Sequence, residues 1–369
     1  MEFASAFLED WMREYYFDAK YDIGSSGVQD YCLKEVRELA GITFAELDDV
    51  VFRDGPCTGD EALRQAIADR WGTGDPDWVA TAHGASEAIY SALLAVLRPG
   101  DHVVTLDPSY HSHTSVPRAL HCDITPWTLR PEHAFQPDIA ELAALAEARR
   151  PAAIIVNFPH NPTGATVTRE QLRGLVAVAE SVDAHLVWDA SFSELTYGAA
   201  PLPDPIRDYR KTISVGTFSK AFGLPGMRFG WCLAHPDVIA RMIPLRDVYL
   251  LSISPLLERI AVGVVRHAER FVEPRLRQAA KNRELLGQWA ARHEDRVEHT
   301  PPQGGVTAFP RMRRETDTRE LCLRLGAQHS VLLVPGVAFG RPDRVRLGFG
   351  GPSDDFARAL DLVARELGP

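Results

Sequence analysis

The segment Thr217-Phe-Ser219-Lys220-Ala-Phe-Gly-Leu-Pro-Gly-Met-Arg228 decides how the rest of the sequence is read. An apolar run over 212–215 precedes it, so a strand delivers it, and its glycines and proline make it a turn rather than a helix. Of the forty basic residues only five are lysine: Lys20, Lys34, Lys211, Lys220 and Lys281. A lysine between a strand and a tight turn is therefore no generic surface choice in this chain. By contrast, Lys211 beside Arg210 and Lys281 in a charged helical stretch read as solvated.

The alternation of strand and turn extends outward from this segment. Residues 103–106, 152–158, 185–188 and 229–234 are further short apolar runs, and 139–148 and 169–182 carry helical periodicity. His83-Gly-Ala-Ser86 leads from a strand end into a helix marked by Ile89, Leu93, Leu94 and Leu97, which Arg98-Pro-Gly-Asp101 stops. Such alternation specifies an α/β fold, a mostly parallel sheet with helices on both faces, whose ligands sit at the carboxyl ends of the strands. Past residue 256 a long charge-rich helical stretch runs to residue 293, followed by strand-like runs at 331–334 and 344–349 and a closing helix over 354–367. The expected division is a large domain over 46–262, a smaller α+β domain over 263–369, and an N-terminal segment, 1–45, packing with the small domain.

Composition narrows the function. The chain has 369 residues, 45% apolar and 24% charged, which is ordinary for a globular protein. Its formal net charge of −10 lacks the basic excess that nucleic-acid or anionic-membrane binding needs. No run approaches about eighteen apolar residues, and Glu2, Glu9, Asp10 and Glu14 stand where a signal peptide is basic. The expectation is a cytoplasmic protein with small-molecule partners, no nucleic acid and no membrane. Cys32, Cys57, Cys122, Cys232 and Cys322 are scattered without metal-ligand spacing, so no metal site is expected and they read as buried small hydrophobes.

Five patterns fall at strand ends, each with a purely structural reading beside the chemical one. Gly84-Ala85-Ser86 lets backbone approach a phosphate at a helix N-terminus, and serves equally as a plain N-cap. In Asp107-Pro-Ser-Tyr110-His-Ser-His113 an aromatic ring just beyond the sheet either stacks on a flat heterocycle or merely follows a Pro-initiated turn. Asn161-Pro-Thr-Gly164 has strong turn chemistry, and its Asn is also placed to donate to a ligand oxygen. Asp189 is a deep carboxylate that needs a cation or donors, whether a ligand's or a neighbouring helix's. Lys220 heads the fifth and most specific pattern. A phosphate cradle, a stacking ring, an Asn donor, a buried carboxylate and a lysine, in this order, are what pyridoxal 5'-phosphate (PLP) requires.

On these residues the chain resembles the fold-type-I PLP enzymes of the class I and II aminotransferase family over nearly its whole length. The resemblance implies a mostly parallel seven-stranded sheet in the large domain and assembly as a homodimer. It makes Lys220 the catalytic lysine that bonds the cofactor, Asp189 the partner of the pyridine nitrogen, Asn161 the donor to the phenolic oxygen and Tyr110 the stacking ring. Ala85, Ser86, Thr217, Ser219 and Arg228 match the phosphate-binding positions, and His113 matches a histidine behind the aspartate. Within Arg344-Val-Arg346-Leu-Gly, Arg346 matches the arginine that grips the substrate carboxylate. Gly27, in Ile23-Gly-Ser-Ser-Gly27, matches a glycine that lets backbone approach the substrate.

Two positions depart from the family pattern. A tyrosine usually stands three residues after the aspartate, bonded to the same cofactor oxygen as Asn161; here it is Phe192, and one donor is missing. The stretch Phe52-Arg-Asp-Gly-Pro-Cys-Thr-Gly59 matches the region where a neighbouring subunit usually sends a tyrosine to the phosphate, and Asp54 stands closest to that position. Both departures weigh against ordinary transamination. Trp11-Met-Arg-Glu-Tyr-Tyr-Phe-Asp18 and Tyr21-Asp-Ile-Gly-Ser-Ser-Gly-Val-Gln-Asp30 are similar to capreomycidine synthases. That resemblance implies β-elimination from (2S,3S)-3-hydroxyarginine and closure of its guanidine onto Cβ, a carbon–oxygen lyase reaction of antibiotic biosynthesis. Lys220 is then the first candidate acid for the leaving hydroxyl and His111 the second. The alternative is a PLP-dependent aminotransferase acting on an α-amino acid.

Overall fold

In the computed structural model, which describes residues 2–368, seven strands share one sheet: β1 (Val79–Ala82), β2 (His102–Asp107), β3 (Asp123–Thr128), β4 (Ala153–Asn157), β5 (His185–Asp189), β6 (Thr212–Thr217) and β7 (Gly230–Ala234). Their lateral order is β1-β7-β6-β5-β4-β2-β3. Only β7 is reversed, antiparallel to both β1 and β6, and the other pairs are parallel. The sheet is therefore the mostly parallel one that the alternation predicts. Every residue of β1, β4, β6 and β7 is buried, which is why a stretch such as Ile154-Ile155-Val156 is apolar throughout instead of alternating.

Successive residues of these strands feed two cores. On one face Ile155, Val187 and Ile213 meet Ile89 and Leu93 of helix Ala85–Val96 and Met242 of helix Pro236–Tyr249. On the other, Ile154, Val156 and Leu186 meet Leu172 and Leu175 of helix Arg169–Ser181, and that core continues to Trp289 and Phe356 near the C-terminus. β3 closes one edge, with exposed positions and Pro126 inside it, a residue that donates nothing to a ladder and is tolerated at an edge.

The helical stretch expected to run unbroken to residue 293 is two helices, Pro255–Arg266 and Ala268–Arg292. His267 separates them: its backbone leaves the helical region at φ −120°, ψ 30°, and its N–H still reaches Gly263 O at 3.1 Å. Beyond them, Val345–Gly348 is the middle of a three-stranded antiparallel sheet with Thr307–Ala308 and Val334–Pro335. The N-terminal chain is sewn to this region. Tyr21–Asp22 pairs in parallel with Val331–Leu332, and the indole Nε1 of Trp11, in helix Phe7–Tyr15, donates to Leu333 O at 2.8 Å. Cys122, Cys232 and Cys322 are buried, Cys57 is half-buried, and Cys32 is exposed beside helix Leu33–Ala40, so the reading of all five as core residues fails there. Among the described residues no helix is long and apolar enough to cross a membrane.

Candidate active site

β4, β5 and β6 end abreast, with Asn157 paired to Asp189 and Asp189 to Val215. Asn157 clips this edge together: its Nδ2 donates to Asp189 O at 2.8 Å and its Oδ1 accepts the N–H of Asn161 at 3.0 Å. Asp189 is 4% exposed. Its carboxylate accepts the Ser191 N–H at 2.9 Å and lies 3.1 Å from His113 Nε2. Burial pushes its pKa up, but the hydrogen bonds and charge of His113 and the bonds from Ser191 win and hold it below the ordinary range. The result is a fixed anion at the carboxyl end of β5. Asn161 is 4% exposed and its Oδ1 has no hydrogen-bond partner among the described residues, a buried acceptor that a ligand donor or a water would satisfy.

Lys220 follows β6, as the turn chemistry predicts. Its Nζ donates to Ser26 Oγ at 2.9 Å and lies 5.9 Å from the centroid of the Phe192 ring. Burial pulls its pKa down to about 8, helped by the charges of Arg346 and Arg228 and opposed by Glu9 and Asp189. Lys220 therefore becomes a neutral nucleophile at a lower pH than an ordinary lysine.

The phosphate-type residues converge next to it. Thr217 Oγ1 lies 3.0 Å from Ser219 Oγ, and Arg228 Nη1 donates to Ser219 Oγ at 3.2 Å and to Pro225 O at 3.0 Å. Ala85 and Ser86 open helix Ala85–Val96 behind Gly84, whose φ of +82° favours glycine. A Cβ on Gly84 would stand 2.8 Å from Arg228 Nη2, so only glycine lets that guanidinium approach the helix start.

Tyr110 and Arg346 complete the enclosure. The Tyr110 ring meets His113 edge-on at 5.9 Å, and its hydroxyl donates to Glu9 Oε1 at 3.3 Å. Burial, then the nearby Glu9 charge, push the phenol's pKa up and keep it neutral. Arg346, 3% exposed on strand Val345–Gly348, donates from Nε and Nη2 to Gly24 O at 3.1 and 2.8 Å. Burial lowers its pKa to about 10, so it stays charged at neutral pH, and Nη1 bonds no described residue. Gly27 lines the same space, though a Cβ there would meet nothing closer than Ser219 O at 3.4 Å. The tighter glycine of that loop is Gly24, whose Cβ would stand 2.9 Å from Leu332 Cγ.

Ser26, Gly27, Tyr110, Ser219, Lys220 and Arg346 border a cavity of about 660 Å³ that also takes in Leu8, Glu9, Met12 and Tyr16 from the N-terminal helix and the residue just after it, whereas Asp189, Asn161, Thr217 and Arg228 are not among its lining residues. Reading the sequence misses Glu9 and Ser26. The spacing of Leu8, Met12 and Tyr16 marks a helical face that Glu9 flanks without setting it apart from Asp10, and Ser26 lies inside Ile23-Gly-Ser-Ser-Gly27, the loop singled out for its glycine. His111 lies outside the cavity lining but reaches Glu9 Oε1 through Nε2 at 3.0 Å. Asp54 is exposed on a surface loop and does not border the cavity.

A sequence profile of aminotransferase class I and II matches residues 25–363. Capreomycidine synthase of Streptomyces vinaceus is 46% identical over 366 residues, 98% of this chain and 93% of its own. Valine–pyruvate aminotransferase of Mycobacterium tuberculosis is 30% identical over 318 residues, 83% of this chain and 81% of its own. Among solved structures, the PLP-dependent cyclase OrfR superposes with a TM-score of 0.94 at 42% identity, covering 100% of this chain and 98% of that one. A PLP-dependent aminotransferase from Streptococcus suis superposes with a TM-score of 0.93 at 27% identity, again over 100% and 98%. A lysine, a buried aspartate and a buried asparagine following β6, β5 and β4 agree with a profile match that spans most of the sequence: the chain belongs to the class I and II aminotransferase family.

Proposed function

We propose that this protein is a PLP-dependent cyclase that removes water from (2S,3S)-3-hydroxyarginine and closes the ring of capreomycidine, in the biosynthesis of a tuberactinomycin- or streptothricin-type antibiotic. The observation that carries this reading is the 46% identity to the Streptomyces vinaceus capreomycidine synthase across nearly all of both chains. The residues fit the cofactor. A buried anion at Asp189 and an arginine drawn to a glycine-led helix start suit a pyridinium nitrogen and a phosphate respectively, and Asn161 would meet a phenolic oxygen through Nδ2, the donor of its side-chain amide.

When bound, PLP withdraws the electron pair left on Cα as its proton departs. Lys220 takes that proton at Nζ and, as the ammonium, delivers one to the β-hydroxyl, which is a poor leaving group unless protonated. His111 is the second acid within reach of the site. Arg346 grips the α-carboxylate with the donors that Gly24 O leaves open. Phe192 gives Lys220 an apolar neighbour where the family places a hydroxyl. Loss of the hydroxyl as water and bonding of a terminal guanidine nitrogen to Cβ balance with no oxidant and no keto acid, which makes the enzyme a carbon–oxygen lyase. The test is to add 3-hydroxyarginine to the PLP-loaded protein and weigh the product. The expected mass is substrate minus one water with the α-nitrogen retained; a stoichiometric 2-oxo acid with no dehydrated product would overturn the reading in favour of an aminotransferase.

Three further outcomes follow from the site. In the cofactor-free protein, PLP capture by Lys220 needs the neutral amine, whose pKa is lowered to about 8. Its rate, followed by absorbance, is expected to be flat above that pH and to fall about tenfold per pH unit below it. Arg346→Lys is expected to weaken amino-acid binding by about 1.5 to 3 kcal/mol, because an ammonium cannot reproduce two parallel bonds to a carboxylate. Unchanged affinity on spectroscopic titration would move the carboxylate site away from Arg346. The protein is expected to work as a homodimer, a proposal supported by its membership of the class I and II aminotransferase family and by the frequency of two-fold assembly. Sedimentation of a fully active monomer would sink it.

A further inference from the structure

The cavity carries a charge pattern that the reacting groups leave unexplained. Besides Lys220, Arg346, Arg13 and Lys20 it is bordered by four carboxylates, Glu9, Asp22, Asp30 and Asp355; Asp355 is exposed in the first turn of helix Ser353–Glu366, and the other three are not equivalent. Asp22 is tied to the backbone through one oxygen: its Oδ1 accepts the N–H groups of Gly24 and Ser25, both at 2.9 Å, and so shapes the turn whose carbonyl holds Arg346, while Oδ2 has no donor among the described residues. Asp30 is exposed to the bulk on one side, and burial on the other, with the negative charge of Asp22, pushes it toward its neutral form.

Glu9 differs from Asp22 in being held by side chains and not by a backbone turn, and from Asp30 in being held toward its charged form. The hydrogen bond from His111 outweighs burial and, with the charge of His111, the Tyr110 hydroxyl and Lys220, keeps it below the ordinary carboxylate range. Its Oε1 takes both donors, His111 Nε2 at 3.0 Å and Tyr110 OH at 3.3 Å, while Oε2 has no donor among the described residues. The helix behind it is anchored by buried Leu8 and Trp11. Glu9 is thus an oriented carboxylate with one oxygen unspent, near enough to Arg346 for its charge to act there.

We infer that Glu9 Oε2 accepts the substrate guanidinium and selects a cationic side chain over a neutral one of the same shape. This deepens the cyclase reading and rests on it. The substrate is then held at both ends, its α-carboxylate by Arg346 and its side chain by Glu9. A single open oxygen engages one terminal nitrogen rather than forming a two-bond fork, which leaves the other nitrogen for ring closure.

The test is calorimetric titration of the PLP-loaded wild type and Glu9→Gln with arginine and with citrulline, its neutral urea counterpart; neither has a β-hydroxyl to lose. Wild type is expected to prefer arginine by at least about tenfold, and Glu9→Gln to lose about ten- to a hundredfold for arginine with citrulline changed less than about threefold. Glu9→Asp, which keeps the charge, is expected to restore most of the preference, and Asp30→Asn to leave it intact. A Glu9→Gln protein that still prefers arginine, or that loses both ligands equally, overturns this inference and leaves the cyclase reading standing. A wild type that does not distinguish the two ligands overturns both.

Discussion

Lys220→Ala is expected to lower turnover by roughly ten-thousand-fold or more, since on the proposed reading one amine is nucleophile toward the cofactor, base at Cα and acid at the β-hydroxyl. The fold is expected to survive. The side chain makes one hydrogen bond, to Ser26 Oγ, whereas the structural contact of this position is its carbonyl, which accepts the Val28 N–H at 3.3 Å and does not depend on the side chain. Noncovalent PLP retention is expected too, because the phosphate-type and ring-facing groups belong to other residues. Borohydride reduction of the loaded wild type followed by peptide mapping checks the assignment independently of activity. A pyridoxyl label on Lys211, which is paired with Asp183 at 2.6 Å, or on Lys281 would refute it.

Asp189→Asn is the second large effect, with kcat expected to fall by roughly a hundred- to a thousandfold, the size seen when one preorganised electrostatic group is removed. The amide has the same shape and its oxygen still accepts the Ser191 N–H now bound at 2.9 Å. What it loses is the charge that His113 and Ser191 hold in place against burial. The loss is therefore expected in kcat with the thermal midpoint little changed. A variant with wild-type kcat would remove Asp189 from the chemistry.

How much of this was open to a reading of the residues depends on what holds each part together. Strands buried on both faces are legible, because β4 and β6 need nothing but apolar residues in a short run. β3 is not, since an edge strand tolerates Pro126 and exposed positions that read as a loop. The break at His267 is equally hidden: the residue is an ordinary helix former in pattern, and its ring Nδ1 faces Gly263 O at 3.1 Å only once the helix has ended. The site residues on strand ends are legible because turn chemistry and scarcity single them out, as the lone lysine after β6 illustrates. Glu9 escapes because nothing local distinguishes it from Asp10 beside it; its role comes from rings 101 and 102 positions away. Arg346 is visible only through resemblance, since the carbonyl that orients it lies 322 residues distant.

The pairing of Asn157 with Asp189 and of Asp189 with Val215 ties the acid's position to strand register. Sliding β5 by one residue would turn Asp189 to the opposite face of the sheet and present Trp188 or Ala190 in its place, with no geometry in between. Loss of this register by heat or denaturant is therefore expected to remove sites from the active population and not to grade the turnover of those that keep it. A damaged preparation should then show fewer active sites by titration with unaltered turnover per site, and activity doubles as a count of correctly registered sheets.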